Sequence, residues 1–194
     1  MVRWYHAIFS AYGYWLPNDP RGSWSDFVQS WELYRFRGSA TKVCDKRSYA
    51  HDPHDARFRL EAKEHLKYPA ARFDAPSRDS MGRGFSRACS EFGFRIHACA
   101  IGYDPVHVPI SHDPERTIEN IVAVLKARAT HQMNADGTHP MKRYAPLPTP
   151  WGRSCWSVFI NEEAQLHNAI GYVERHPVKE GLAPQHWEFI TPCE

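Results

Sequence analysis

Apolar and polar positions along this chain follow two periods, and they predict an alternation of strands and helices. Residues 4–12 (WYHAIFSAY) are rich in aromatic and β-forming side chains, which predicts an opening strand. Residues 94–103 and 106–111 predict two more strands, joined by a tight turn at Asp104–Pro105. A fourth, short strand is predicted at 155–160 (CWSVFI).

Three helices are predicted from the 3.6-residue period and from capping residues. The first covers residues 77–92, with a serine as its N-cap. The second is the clearest, because Asp113 can cap it and Pro114 suits its first position. The third follows Asn161 and is expected to stop at His176, because a proline comes next. The apolar stripe of the second helix consists of Ile118, Ile121, Val122, Leu125 and Met133.

The order of these elements predicts an α+β fold, in which helices cover one face of a mainly antiparallel sheet. Residues from about 25 to 76 show no clean period and carry many charges and histidines. We interpret them as an extended or locally helical insertion within a single domain spanning residues 1–194.

Composition restricts the class of protein. Hydrophobic residues make up 42% of the 194 residues and aromatics 13%, which is enough for a packed core. The chain has no apolar run long enough to cross a membrane, and its first residues lack the pattern of a secretion signal. Its five cysteines are scattered and form no CxxC pair, which argues against a disulfide scaffold or a zinc ribbon. A reducing, cytoplasmic location is therefore expected.

Positive charge is concentrated in the middle of the chain. Between Arg35 and Arg87 there are thirteen Lys or Arg residues against seven Asp or Glu, although the net charge of the whole chain is only +2. Such a segment suits a phosphate-rich partner. A solvated loop region of mixed charge explains the same pattern equally well.

Phosphate-binding and hydrolase motifs such as GxxxxGK[ST], GxGxxG and GxSxG are absent, whereas twelve histidines make metal chemistry worth testing. With a turn at Asp104–Pro105, His97 and His112 are expected on one face of the hairpin and His107 on the other. On the last helix, Tyr172 and His176 lie one turn apart at the margin of the apolar face. Their spacing alone favours a structural tyrosine at the edge of the core.

Four segments, taken in order, resemble the REP-associated tyrosine transposases, which are single-tyrosine HUH transposases. YGYWLPNDPRGSW is similar to the YGTWLPGDPRG start of one branch of that family. IHACAIGYDPVHVPI resembles the HUH strand, whose usual form is Pro-Asp-His-Val-His-Leu, and LKARAT (125–130) resembles the stretch that follows it. The last third resembles the helix signature Tyr-Ile-x-x-Asn-Pro-x-Lys-x-Gly. The matching residues are Tyr172, Val173, His176, Pro177, Lys179 and Gly181.

The resemblance implies a ferredoxin-like sandwich, often dimeric, that cleaves single-stranded or hairpin DNA. It implies Tyr172 as the nucleophile that forms a 5′-phosphotyrosine link, and a divalent metal (Mg²⁺ or Mn²⁺) held by His107. His176 occupies the position one turn after the tyrosine, where relatives carry Gln or Asn near the metal. One departure is that Pro105 replaces the first histidine of the HUH pair. A homodimer is one expected assembly, and no membrane partner is expected.

Candidate DNA contacts come from aromatic and basic residues that interleave near the start of the basic segment. The tryptophans can equally be core anchors. Two cations of the LKARAT stretch complete the set of expected DNA-binding residues. These are Trp15, Arg21, Trp24, Lys42, Lys46, Arg47, Lys126 and Arg128.

Three hypotheses follow from these observations. The first is a transposase-like enzyme acting on single-stranded DNA. The second is a DNA-binding protein of the same fold that has lost cleavage, which Pro105 would explain. The third, an unrelated α+β domain with chance matches, has to account for four motifs in the family's order.

Overall fold

A computed structural model describes residues 2–23, 25–43 and 52–193. The chain forms two compact units: one holds the residues up to Ala11 and those from Arg72 onward, and the other is Tyr12–Ala71. No helix in the described ranges is both long enough and apolar enough to span a bilayer. The elements are β1 (Trp4–Ala11), α1 (Trp31–Arg37), α2 (Ala56–Glu64), α3 (Ala75–Phe92), β2 (Ala100–Ile101), β3 (Pro105–Ser111), α4 (Ile118–Ala135), β4 (Trp151–Ile160) and α5 (Glu163–Lys179).

The first unit contains a four-stranded sheet with strand order β2-β3-β1-β4, and every neighbouring pair is antiparallel. Helix α3 lies between β1 and β2 in the chain, and α4 lies between β3 and β4. This βαββαβ arrangement is that of a ferredoxin-like sandwich, followed by the extra helix α5. The predicted α+β class with an antiparallel sheet is confirmed.

The helices of this unit lie on both faces of the sheet, not on one face as expected. On one face Phe9 contacts Phe85 of α3 and Trp151. On the other face Leu166 of α5 packs in a core cluster with Trp4 and Ile160. Nearly every residue of β3 is buried, so the sheet needs cover on both sides.

Helix α5 meets the sheet through small residues. Val173 is fully buried and forms a core cluster with Ala98 and Ala100, against which Ile170 also packs. The residue pair Ala100–His107 in the β2–β3 register places this cluster beside His107.

The hairpin between β2 and β3 differs from its prediction. Ile101 pairs with Val106, and the N–H of Gly102 donates to the carbonyl of Pro105, so Pro105 begins β3 instead of lying inside the turn. The predicted strand 94–103 is reduced to two residues, because the chain before Ala100 bridges β3 only at Ile96.

The expected sharing of a face by His97 and His112 is therefore wrong. A ring nitrogen of His97 lies 2.9 Å from the hydroxyl of Ser111, whereas His112 stacks on Tyr5. Ser111 lies an even number of residues from His107, on the same side of β3. The His97 ring therefore lies on the side of the sheet that carries His107, and His112 lies on the other side.

Helix boundaries differ from the predictions where capping residues compete. Asp74, not a serine, caps α3 by accepting from the N–H of Ser77. Thr117 caps α4, because the carboxylate of Asp113 is engaged in a local turn. Helix α5 continues through Pro177 to Lys179, since a proline in the last turn removes a single helical hydrogen bond.

The second unit holds α1 and α2 around a small core of its own. Leu16, Leu33 and Ala62 are buried together, with Phe36 and Leu66 packed against them. Ser30 caps α1, and Asp55 caps α2. The segment interpreted as an insertion thus contains two short helices. Its residues up to Ala71 belong to the compact unit Tyr12–Ala71, and the remainder belongs to the first unit.

Candidate active site

Four aromatic side chains meet between the sheet and α5: His6 of β1, His107 of β3, and Tyr172 and His176 of α5. Register places the two strand histidines on the same face, because Ile8 pairs with His107 and His6 pairs with the residue two positions further along β3. Tyr172 and His176 are four residues apart, so both project from one side of the helix.

The rings are in direct contact. The His107 and His176 ring centroids are 4.2 Å apart, and those of His6 and His107 are 5.4 Å apart. The Tyr172 ring lies 5.9 Å from His6, 5.6 Å from His107 and 5.7 Å from His176. The predicted site residues Tyr172, His107 and His176 are therefore brought together.

The ring nitrogens of the cluster have few protein partners. Nδ1 of His107 lies 3.2 Å from Nε2 of His6. Nδ1 of His176 is buried and has no hydrogen-bond partner among the described residues. Nε2 of His176 lies 4.0 Å from Oε1 of Glu180.

The three imidazoles are neutral near pH 7. Burial, and after it the repulsion that a protonated His176 would exert, lowers the pKa of His6 to about 4. Burial and the neighbouring histidines hold the pKa of His107 well below its usual range. Burial and the ammonium of Lys179 lower the pKa of His176. Neutral imidazoles carry a free lone pair, as metal ligands require.

Tyr172 is reachable from solvent, with 39% of its surface exposed. Burial of part of the side chain, together with the carboxylate of Glu180, raises the pKa of its phenol. The ammonium nitrogen of Lys179 lies 5.2 Å from the centre of the tyrosine ring. The phenol is thus protonated near neutral pH and exposed beside a cation.

Pro105 lies on the same face of β3 as His107 and provides no ligand atom. Within the described ranges, no group of three or more His, Cys, Asp or Glu side chains is arranged so that it could hold a metal ion. Any cation at this cluster would thus need non-protein ligands in addition to imidazoles.

His6 is the residue of the cluster that the sequence analysis missed. It lies in the first predicted strand, and the strand period alone places it on the face opposite Tyr5 and Ala7. Its approach to His107 depends on the β1–β3 register, which joins residues 101 positions apart. The signal available was a histidine inside an otherwise apolar strand.

The expected DNA contacts Trp15 and Arg21 are engaged with each other inside the second unit. The guanidinium of Arg21 lies 3.8 Å from the Trp15 ring centre and forms two 2.8 Å hydrogen bonds to the carboxylate of Asp19. The side chain of Asp19 is 1% exposed and that of Arg21 is 8% exposed. The indole N–H of Trp15 donates to the carbonyl of Gly22 at 2.7 Å. These contacts hold both side chains within the second unit, and the role of either residue in DNA binding stays a prediction.

Three of the other expected contacts, Trp24, Lys46 and Arg47, lie outside the described residues. Lys42 is at the surface and forms an ion pair with Asp26. Lys42 does not belong to the cluster of rings between the sheet and α5. Their roles in DNA binding stay predictions.

Lys126 and Arg128 of α4 are also engaged. Arg128 pairs with Glu91 of α3 at 2.6 Å. The ammonium of Lys126 donates to the carbonyl of Gly152 at 2.8 Å, and burial lowers its pKa to about 8. Lys126 is therefore held partly inside the first unit, while Arg128 lies at its surface.

The buried lysine predicts a pH-dependent stability. The unfolded chain keeps the Lys126 proton up to about pH 10.5, whereas the folded chain releases it near pH 8. The unfolded state binds more protons within that window, so the free energy of unfolding should rise with pH there. Relative to Lys126→Met, we expect wild type to gain about 2 kcal/mol, allowing for partial solvent screening. Urea unfolding of both proteins between pH 7 and pH 11 measures this gain. A difference in the free energy of unfolding that stays constant over this pH range would contradict the prediction.

Comparisons with known proteins add the following findings. The family described as "Transposase IS200 like" matches residues 65–176. The curated proteins contain no significant match. Among solved structures, a REP-associated tyrosine transposase bound to a REP hairpin is 11% identical, with a TM-score of 0.47 over 94% of this chain and 70% of that chain. A transposase candidate from Deinococcus radiodurans R1 is 12% identical, with a TM-score of 0.42 over 94% of this chain and 95% of that chain.

Proposed function

The chain belongs to the IS200-like transposase family, whose match covers more than half of its residues, and we propose that it cleaves single-stranded or hairpin DNA with Tyr172 as the nucleophile. The observation that carries this proposal is the exposed phenol of Tyr172 in contact with three neutral histidines. A nucleophile next to neutral imidazoles, which can act as metal ligands, is one arrangement suited to phosphodiester attack.

The proposed step is a transesterification. The Oη of Tyr172 attacks the scissile phosphorus, the bond from phosphorus to the 3′ oxygen breaks, and a phosphotyrosine link to the 5′ side forms. The proton lost by the phenol balances the proton gained by the departing 3′ hydroxyl. A strand with a free 3′ hydroxyl can reverse the step and rejoin the DNA, so no external energy source is needed.

Two imidazoles of the cluster support a proposed divalent cation, which would also need non-protein ligands. The buried, unpartnered Nδ1 of His176 and the neutral ring of His107 are nitrogen donors within one cluster. In this proposal His107 and His176 hold the ion, Mn²⁺ or Mg²⁺. A bound cation supplies Lewis-acid polarisation of the scissile phosphate. Lys179 adds positive charge next to the tyrosine ring.

A second candidate function is DNA binding without cleavage on the same scaffold. The observation that favours it is Pro105, which leaves a single histidine on β3. The experiment that separates the two is incubation of the protein with Mn²⁺ and end-labelled single-stranded and hairpin oligonucleotides. A covalent protein–DNA band that survives denaturation supports the enzyme, and its absence on every strand tested supports the binding protein.

Both candidates predict a preference for single strands. We expect tighter binding to single-stranded or hairpin DNA than to plain duplex, with affinity that falls steeply with salt as counterions are released. Fluorescence anisotropy at about 50 mM and about 200 mM salt should show a loss of tenfold or more. Equal, salt-insensitive binding to duplex and single strand would contradict both candidates. Assembly as a homodimer also stays a prediction, which light scattering of the purified protein tests.

A further inference from the structure

We infer that His6 supplies the imidazole that Pro105 lacks, so that His6 and His107, on two neighbouring strands, hold the cation, and His176 reaches it through a bound water instead of as a third direct ligand. This inference rests on the proposed function for the presence of a metal at the cluster. The feature that carries it is the approach of Nε2 of His6 to Nδ1 of His107, at 3.2 Å.

That separation is the one expected for two nitrogens bound to the same ion. Zinc–nitrogen bonds to histidine, for example, are about 2.0–2.1 Å long, so two adjacent nitrogens around such a cation lie roughly 3 Å apart. The same distance also fits a single N–H···N hydrogen bond, in which one imidazole donates and the other accepts. The surroundings of the pair distinguish these two interpretations.

A hydrogen bond between His6 and His107 does not provide partners for all the buried nitrogens of the cluster. One such bond engages one ring nitrogen of His6 and one of His107, but it leaves the buried Nδ1 of His176 without a partner. An unsatisfied buried nitrogen costs about 1–3 kcal/mol. A cation held by the His6–His107 pair takes water and a phosphate oxygen as further ligands, and a water on that cation would give the buried Nδ1 of His176 a hydrogen-bond partner.

The sheet geometry explains how His6 can replace a residue of β3. Pro105 pairs with Ser10 and lies to one side of His107, while His6 pairs with Pro109 and lies to the other side. Diagonal neighbours on adjacent strands are within reach of long or aromatic side chains. His6 therefore reaches His107 from the neighbouring strand. A histidine at position 105 would reach it from the same strand.

A pair of imidazoles also sets a preference among cations. Nitrogen ligands bind later transition metals better than they bind Mg²⁺, which favours an oxygen shell. The carboxylate of Glu180 is not in direct contact with His176, since its Oε1 lies 4.0 Å from Nε2 of that histidine. We therefore expect Mn²⁺ to bind more tightly than Mg²⁺.

The test is Mn²⁺ affinity measured by calorimetry without DNA on wild type, His6→Ala and His107→Ala. His167→Ala is the matched control, because His167 is an exposed histidine of α5 outside the cluster. We expect a loss of at least about tenfold for both cluster variants and no change for the control. Circular dichroism and the melting temperature of the metal-free variants establish that each is folded, and His6→Gln replaces His6→Ala if that variant is unstable.

Two outcomes would overturn the inference. If His6→Ala and His6→Gln bind Mn²⁺ as wild type does while His107→Ala does not, His6 is not a ligand. The proposed enzyme then stands on His107 and His176. If folded wild type binds no Mn²⁺ at all, the inference fails, and the covalent-adduct assay decides separately whether cleavage survives without the ion.

Discussion

Tyr172→Phe should abolish the covalent protein–DNA adduct while leaving the affinity for DNA nearly unchanged. The substitution removes only the phenolic oxygen, which is the attacking atom in the proposed step. The ring that contacts His6, His107 and His176 is retained, so the packing of α5 on the sheet should be preserved. A denaturing gel with labelled single-stranded DNA measures the adduct, and anisotropy measures the affinity.

The matched control for this substitution is Tyr144→Phe. The hydroxyl of Tyr144 accepts a hydrogen bond from the guanidinium of Arg143, and the residue is not part of the cluster. This variant should form the adduct at the wild-type level. If the adduct persists in Tyr172→Phe and disappears in Tyr144→Phe or Tyr103→Phe, the nucleophile has been assigned to the wrong tyrosine.

Gly84→Ala should lower the free energy of unfolding by about 2–4 kcal/mol, the largest expected effect on stability. A Cβ at Gly84 would lie 2.7 Å from the Cα of Ala129 and 2.7 Å from the carbonyl oxygen of Arg128. Both atoms belong to the backbone of α4, which cannot rotate away as a side chain can. The added methyl group must therefore push α3 and α4 apart.

Gly171→Ala provides the comparison within α5, because the same atoms are added to a helix interior without a rigid neighbour. Its nearest contact is the end of the Arg175 side chain, at 3.1 Å, which can move. Alanine is favoured over glycine in helices by about 1 kcal/mol, so this variant should be slightly more stable than wild type. Urea unfolding followed by circular dichroism measures both, and equal changes in the two variants would contradict the argument.

The fold was predictable where the sequence pattern is local. The stripe from Ile118 to Met133 predicted α4, and the residues around Asp104–Pro105 predicted a hairpin near its true place. The position of α5 on the second face of the sheet was not predictable from that helix alone. Its amphipathic pattern shows that one side is buried but does not show which surface buries it.

Some residues of the candidate site were also predictable from local patterns, and one was not. Tyr172 and His176 could be paired from their spacing of four residues, and His107 from its place in the strand motif. His6 required the register between two strands that are far apart in the chain, which no local pattern encodes. For Arg21, however, a local signal was present, because Asp19 is two residues away and binds its guanidinium.

The two alanines that pack against α5 determine how closely this helix, which carries Tyr172, approaches the sheet. Ala98 and Ala100 present only methyl groups to Val173, so the helix backbone can settle close to the strands. Tyr172 precedes Val173 and His176 follows it by less than one turn, so the position of Val173 over the two alanines also fixes the positions of the proposed nucleophile and of the helix histidine. The two methyl groups therefore set the distance between α5 and the strand histidines. A larger side chain in place of either alanine would move Tyr172 and His176 away from those histidines together.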